Sequence, residues 1–244
     1  MRVLVYNIRY CTGIGPGFHF PLPLIGYLRS TGDQLARITR FIESVNPDIS
    51  GLIEVDMGSV RTGQVNQAEA IANALGHAHS FESKYADTSI NTRLPIVRNQ
   101  GNAILTSRPI SSERFHYFDA GVKRLILELE TEEVEFYLVH LSVKYRHRHY
   151  QLRRLHSLIE QRRKPVIVGG DFNTLWGDYE MHLFMEASRL RSANPQGSPT
   201  FPSWAPRRQL DFILYSEGLE VENFEVPDIR LSDHLPLICD FRLN

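Results

Sequence analysis

Eight polar residues of this chain stand where apolar runs begin or end. Asn7 follows VLVY, and Glu54 lies in GLIEVD. His140 closes FYLVH, while Asp171 and Asn173 follow VIVGG directly. Asp211 opens DFILY, and Asp233 with His234 precedes the last apolar run in LSDHLPL. Singly, a carboxylate at such a place is usually a turn or cap residue. Together they suit one chemistry. Oxygen donors such as Glu54 and Asp233 favour a hard divalent cation, Mg²⁺ above all, with Mn²⁺ as an alternative. A cation of this kind neutralises a phosphate oxygen and the charge developing on a leaving oxygen. An imidazole, with an intrinsic pKa of about 6.5, can donate to phosphate or move a proton at neutral pH. A carboxylate beside it fixes its tautomer and favours its charged form.

Strands and helices must hold these groups, since strand ends are rigid enough to keep a precise geometry. Residues 3–8, 49–55, 102–106, 123–129, 134–141, 166–170, 210–215, 221–226 and 236–241 read as strands. Leu35, Ile38, Phe41, Ile42 and Val45 recur at helical spacing behind Asp33, which stands in the N-cap place. Residues 64–75 read as a helix stopped by Gly76, Leu152, Leu155, Leu158 and Ile159 mark a third, and 181–190 a fourth. This alternation, unbroken by any low-complexity linker, predicts an α/β (α+β) fold forming a single domain over 1–244, with mixed sheets packed face to face and helices outside. Residues 12–31 and 87–100 read as long loops.

Composition narrows the class. Lys plus Arg number 27 against 28 Asp plus Glu, so the net charge is −1. A dedicated duplex-binding protein carries a marked basic excess, and this chain has none. Cys11 and Cys239 are too far apart and too few for a disulfide framework or a zinc spacing. Arg9 interrupts what would be the apolar run of a signal peptide, and no stretch of about 18 apolar residues occurs. A reducing, cytoplasmic setting is the expectation.

YNIRY, GLIEVD, GNAILTSRPI, VHLS, GGDFNT, LDFILYS and SDHLPL resemble, in order, the signatures of the endonuclease/exonuclease/phosphatase superfamily, which has the deoxyribonuclease-I-like fold. The resemblance runs from Asn7 to Leu237. It implies a four-layer sandwich of two packed mixed β-sheets flanked by helices. It implies Glu54 as principal metal ligand, Asn7 binding or orienting metal and phosphate, and Asp233 near the metal. Asp171 would position or deprotonate the attacking water, and Asn173 would hold the phosphate. His234 would contact the phosphate or transfer a proton, oriented by Asp211. His140 would be a second phosphate-facing imidazole, a position where family members differ.

The resulting expectation is a divalent-metal-dependent phosphodiesterase using direct in-line attack of water. Its substrate would be a nucleic acid, a phospholipid or a small phosphodiester, compact or single-stranded rather than long duplex DNA. Alternatives are a phosphomonoesterase on an inositol or sugar phosphate, a nuclease of duplex DNA, and a catalytically silent binding module. Three features keep more than one reading. Residues 144–164 hold eight Lys or Arg and one acid, as a solvated helix face or a phosphate-binding face that would include Arg146, Arg148, Arg153 and Arg154. The apolar stretch Phe18 to Leu28 reads as a lid, a lipid-facing wedge, a partner site or a core segment. Trp204 reads as cleft lining or packing, with Arg207 and Arg208 beside it. His77, His79, His116 and His182 carry no motif.

Overall fold

The computed structural model describes residues 1–14, 31–83, 99–118, 125–175, 177 and 179–244. The apolar loop Phe18 to Leu28 lies outside them, as does most of 87–100. Among the described residues twelve strands form two six-stranded sheets. The first has the order β11 (Leu219–Glu225), β12 (Leu237–Leu243), β1 (Arg2–Asn7), β2 (Ile49–Asp56), β4 (Gln100–Thr106) and β3 (Ala78–Ser83). The second runs β5 (Ile110–Tyr117), β6 (Leu125–Thr131), β7 (Glu135–His140), β8 (Val166–Asp171), β10 (Asp211–Tyr215) and β9 (Arg191–Ser192). Pairing is parallel for β1–β2 and β7–β8 and antiparallel elsewhere, so both sheets are mixed as expected.

Three apolar layers hold the sandwich together. Val3, Val5, Ile49, Phe136, Leu138, Ile167 and Ile213 interlock between the sheets. Helices α1 (Gly32–Val45) and α2 (Gln67–Leu75) cover the first sheet through Ile38, Ile42, Ile71 and Ala72. Helices α3 (Tyr145–Ile159) and α4 (Tyr179–Ser188) cover the second through Leu152, Leu155, Met181 and Phe184. These are the four layers that the resemblance implies. Among the described residues no helix is long and apolar enough to cross a membrane.

Some local expectations need correction. Asp33 lies inside the first turn of α1, whose N-cap is Thr31. The second helix begins later than residue 64. Residues 60–62 form a separate 3₁₀ turn, and Asn66 caps α2 by accepting from the amides of Ala68 and Glu69. Strands β3 and β5 were not anticipated, because AHSFES and ISSERFHY mix polar residues onto both faces and give no clean alternation. Cys11 and Cys239 are both buried and unpaired. Burial pushes both thiols upward, that of Cys239 to about 12.

The sheets approach most closely at two glycines. A Cβ on Gly169 would lie 2.5 Å from Val5 Cγ2, and one on Gly51 would lie 2.7 Å from Leu138 Cδ1. Both distances are inside van der Waals contact, so any side chain there would wedge the sheets apart. We expect Gly169→Ala to lower stability by about 1–3 kcal/mol, the usual scale of overpacking. Urea unfolding followed by far-UV circular dichroism reads this directly. An unchanged midpoint would show that the intersheet gap is not as tight as drawn.

Candidate active site

Strand register assembles one side of the site. β7 and β8 run parallel and end together, so His140 pairs with Asp171. β10 runs antiparallel and starts at that end, so Asp171 also pairs with Asp211. The three residues therefore stand in a row at about 4.8 Å per strand. The other sheet supplies Asn7 from the end of β1 and Glu54 from the end of β2. The Asn7 amide joins the two sheets, its Nδ2 donating to Asp171 Oδ2 at 3.2 Å.

Glu54 is turned by its backbone. The β2–β4 register slips between Leu52 and Val55, and Glu54 takes a left-handed φ of 56° within the slip. That conformation is costly for a residue with a Cβ and persists only when neighbours impose it. Asn102 on β4 does so, its Oδ1 accepting from the Glu54 amide at 3.3 Å. The Glu54 side chain is 20% exposed, whereas Asn7, His140, Asp171, Asp211, Asp233 and His234 are buried.

The imidazoles have defined partners. His234 Nδ1 lies 2.8 Å from Asp211 Oδ2, an oxygen that also accepts from Thr200 Oγ1 at 2.6 Å. The Phe201 ring sits 4.8 Å from the His234 ring. This leaves Nε2 turned toward Asp171 Oδ2 at 3.9 Å. Burial opposes protonation of His234, but the Asp211 pairing and the Asp171 and Asp233 carboxylates outweigh it and push its pKa up to about 10. His140 Nε2 lies 3.3 Å from Asp171 Oδ2 and 3.8 Å from Glu54 Oε1. Asp171 and Glu54 are thus the carboxylates that face His140, a partner invisible in the sequence. Asn173, also left-handed at φ 53°, donates its amide N–H to Asp171 Oδ1 at 2.9 Å and its Nδ2 to the Leu141 carbonyl at 3.0 Å.

Two groups of donors can be compared as cation ligands. Asp171, Asp211 and His234 bring ligand atoms within 4.8 Å of one another. In that group Nδ1 of His234 is already committed to Asp211, and all three residues are buried. Glu54, whose carboxylate is partly exposed, with Asp233 and the Asn7 amide oxygen, which also accepts from the Arg9 amide at 3.1 Å, instead offers hard donors where a cation can keep part of its water shell. Burial chiefly, and the charge of Glu54 in addition, push the Asp233 carboxyl above its usual range. A cation would relieve that repulsion, so these residues fit a divalent ion.

All eight residues singled out in the sequence gather at this end of the sandwich. Other residues at the site had no role assigned from the sequence, although Arg9 lies in YNIRY and Asn102 in GNAILTSRPI. Arg9, buried two residues beyond Asn7, places Nε 3.3 Å from Asp233 Oδ2. Asn102 and Thr200 act through the contacts above. Arg148 is the largest departure from expectation. Assigned to a basic face, it is fully buried, because α3 turns it inward. Its Nη1 donates to the carbonyls of Ser142 and Val143 at 2.9 Å and of Asn173 at 3.0 Å. It also pairs with Glu180 of α4. One side chain therefore ties the segment after His140 to the turn carrying Asn173. Its helix neighbours Arg146, Arg153 and Arg154 are exposed, and Leu152, Leu155 and Leu158 are buried. Trp204 is 39% exposed and packs on Phe201, which backs His234. His116 is engaged by Glu128 at 2.5 Å.

A sequence profile described as the Endonuclease/Exonuclease/phosphatase family matches residues 4–234. A UPF0294 protein of Vibrio parahaemolyticus is 35% identical over 101 residues, which cover 38% of this chain and 34% of that protein. The chain thus spans about a third of the length of that curated relative. The crystal structure of endonuclease/exonuclease/phosphatase from Beutenbergia cavernae superposes with a TM-score of 0.74 at 18% identity, covering 100% of this chain and 71% of that one. The human Nocturnin catalytic domain with bound sulfate superposes at 0.71 with 24% identity, covering 100% and 94%.

Removing one member of a buried ion pair leaves the other unpaired, at about 3–5 kcal/mol. Arg148→Ala also orphans three carbonyls. We expect it to destabilise the fold by at least that amount, and Arg148→Ala with Glu180→Ala together to cost less than the two single losses summed. Chemical denaturation of the three variants measures this. Additive losses would show that the pair does not act as a unit.

Proposed function

The chain belongs to the endonuclease/exonuclease/phosphatase family, hydrolases of phosphate esters, and we propose that it is a phosphodiesterase using direct in-line attack of water with a divalent cation, Mg²⁺ or Mn²⁺. One observation carries this reading. A buried His234–Asp211 pair faces Asp171 from one side, and His140 stands between that same Asp171 and the partly exposed Glu54 carboxylate.

Glu54, with Asn7 and Asp233 beside it, would hold the cation. When bound, the cation supplies charge neutralisation at a phosphate oxygen and at the leaving oxygen. Asp171 accepts from Asn7 and the Asn173 amide, which fix the direction of its oxygens. It is the group to orient the attacking water and take its proton. His234, kept protonated by Asp211, presents a positive Nε2 to a non-bridging phosphate oxygen. The developing negative charge would strengthen that contact in the transition state, which lowers the barrier rather than merely binding substrate. His140 offers a second donor from the neighbouring strand. Asn173 spends one amide hydrogen on Leu141, leaving its other for phosphate. Arg9 acts through Asp233, holding that carboxylate at the cleft wall.

Tests follow from these roles. Wild-type protein should hydrolyse bis(p-nitrophenyl) phosphate with Mg²⁺ or Mn²⁺, faster than p-nitrophenyl phosphate, and EDTA should abolish the rate. Preference for the monoester would favour a phosphomonoesterase instead. Glu54→Gln keeps shape but loses the charge that holds a hard cation, so most metal-supported activity should disappear. His234→Ala and Asp171→Asn should each lower kcat by at least roughly 10²-fold. Asp211→Asn should cost less, since it acts only through His234. Undiminished activity in EDTA or in Glu54→Gln would remove the metal from this account.

A further inference from the structure

A cleft of about 510 Å³ lies between α3 and the edge of the second sheet, lined by Tyr117 and Phe118 at the end of β5 and by Tyr150, Gln151, Arg153, Arg154 and Ser157 of α3. We propose that it is an accessory subsite for a nucleotide unit of a single-stranded nucleic acid, its base against Tyr117 and Tyr150 and its phosphate on Arg153 and Arg154. The proposal rests on the phosphodiesterase reading for the reaction, and it adds the class of substrate.

Placement is the first argument. Tyr117 pairs with Leu125 across β5–β6, and Ile126 pairs with Val139 across β6–β7. One step further along the second pair brings Leu125 opposite His140, which pairs in turn with Asp171. Tyr117 therefore extends the row of site residues and stands three strands from Asp171, about 14 Å at the usual strand spacing. A short oligonucleotide spans that distance with its scissile phosphate at Asp171. Gln151 adds a physical link, since its Oε1 accepts from the amide of Ser142, two residues beyond His140.

Chemistry is the second. Arg146, His149, Tyr150, Arg153 and Arg154 recur at helical spacing and form the exposed face of α3. The Arg153 guanidinium lies 5.4 Å over the Tyr150 ring, which holds both side chains in place before any ligand arrives. Aromatic rings beside a cationic groove are how single strands are held without sequence preference. No carboxylate among the described residues lines this cleft. The next cavity along the sheet, about 360 Å³, carries Glu128, Glu130 and Glu135 beside Arg114, His116 and Arg163, and Arg114 and His116 are already paired with Glu128. With Arg148 buried, the few exposed cations of α3 suit a short single strand better than a duplex groove, which demands many phosphate contacts.

The test separates binding from hydrolysis. Fluorescence anisotropy with a short fluorescein-labelled single-stranded oligonucleotide is measured on the full chain in EDTA, so no turnover intervenes. Tyr150→Ala and the double variant Arg153→Ala with Arg154→Ala change exposed side chains, and circular dichroism checks their folding. Each should raise Kd by about 5-fold or more, the scale of one stacked base. With metal present, both should raise KM for the oligonucleotide while leaving hydrolysis of bis(p-nitrophenyl) phosphate unchanged, because that diester is too small to reach the cleft. Unchanged oligonucleotide affinity would overturn the proposal. So would an equal loss on both substrates, or variants that lose binding only to phosphatidylserine vesicles. Failure of the wild type to cleave the small diester would refute the phosphodiesterase reading alone, since binding in EDTA stands on its own.

Discussion

A carboxylate held out of water must be given partners, and Asp171 obtains them from three directions. The first sheet sends the Asn7 amide, the adjacent strand sends His140, and the turn that follows sends the Asn173 amide. An isolated buried charge costs several kcal/mol, so each of these contacts is needed for the chain to close around the group. The Asn7 contact crosses the sandwich and exists only because the sheets can come close. Gly51 and Gly169 permit that approach. The GG of GGD thus serves the carboxylate that follows it, by packing rather than by chemistry.

The site divides into a dry half and a wet half. On the dry side Asp211, Thr200 and Phe201 enclose His234 and set its tautomer. On the wet side Glu54 reaches toward solvent from a slipped register. Left-handed backbone occurs at Arg9 and Asn173, just beyond the ends of β1 and β8, and at Glu54 near the end of β2. At Arg9 and Asn173 the turn follows the strand end, and at Glu54 it sits in the register slip of β2, each at a cost of about 1–3 kcal/mol borne by the surrounding packing.

Legibility in the sequence followed the physics of each residue. Buried central strands such as VLVYN and VIVGGD are apolar runs with a polar terminus, so both strand and site residue could be read. Two-sided edge strands such as ISSERFHY lack periodicity, and β5 stayed hidden. Residues that act by satisfying backbone carry no local signal. Arg148 looked like its exposed neighbours because a helix displays its inward positions by burial, and RHRHYQLRRL contains too many cations for hydrophobic spacing to single one out. Arg9 was similarly silent, since Asp233 meets it only across the folded chain, and Thr200 reaches Asp211 through the hairpin that bridges Phe201 to Arg208.

The two cysteines have a consequence of a different kind. Each is enclosed by the core, and neither thiol gives up its proton at physiological pH. A thiol must ionise and be reached before it can exchange with a disulfide or be oxidised. The fold and the candidate site, which contains no cysteine, are therefore shielded from the glutathione balance of their surroundings. Alkylating reagents should leave the folded protein unlabelled, so labelling would serve as a clock for its opening.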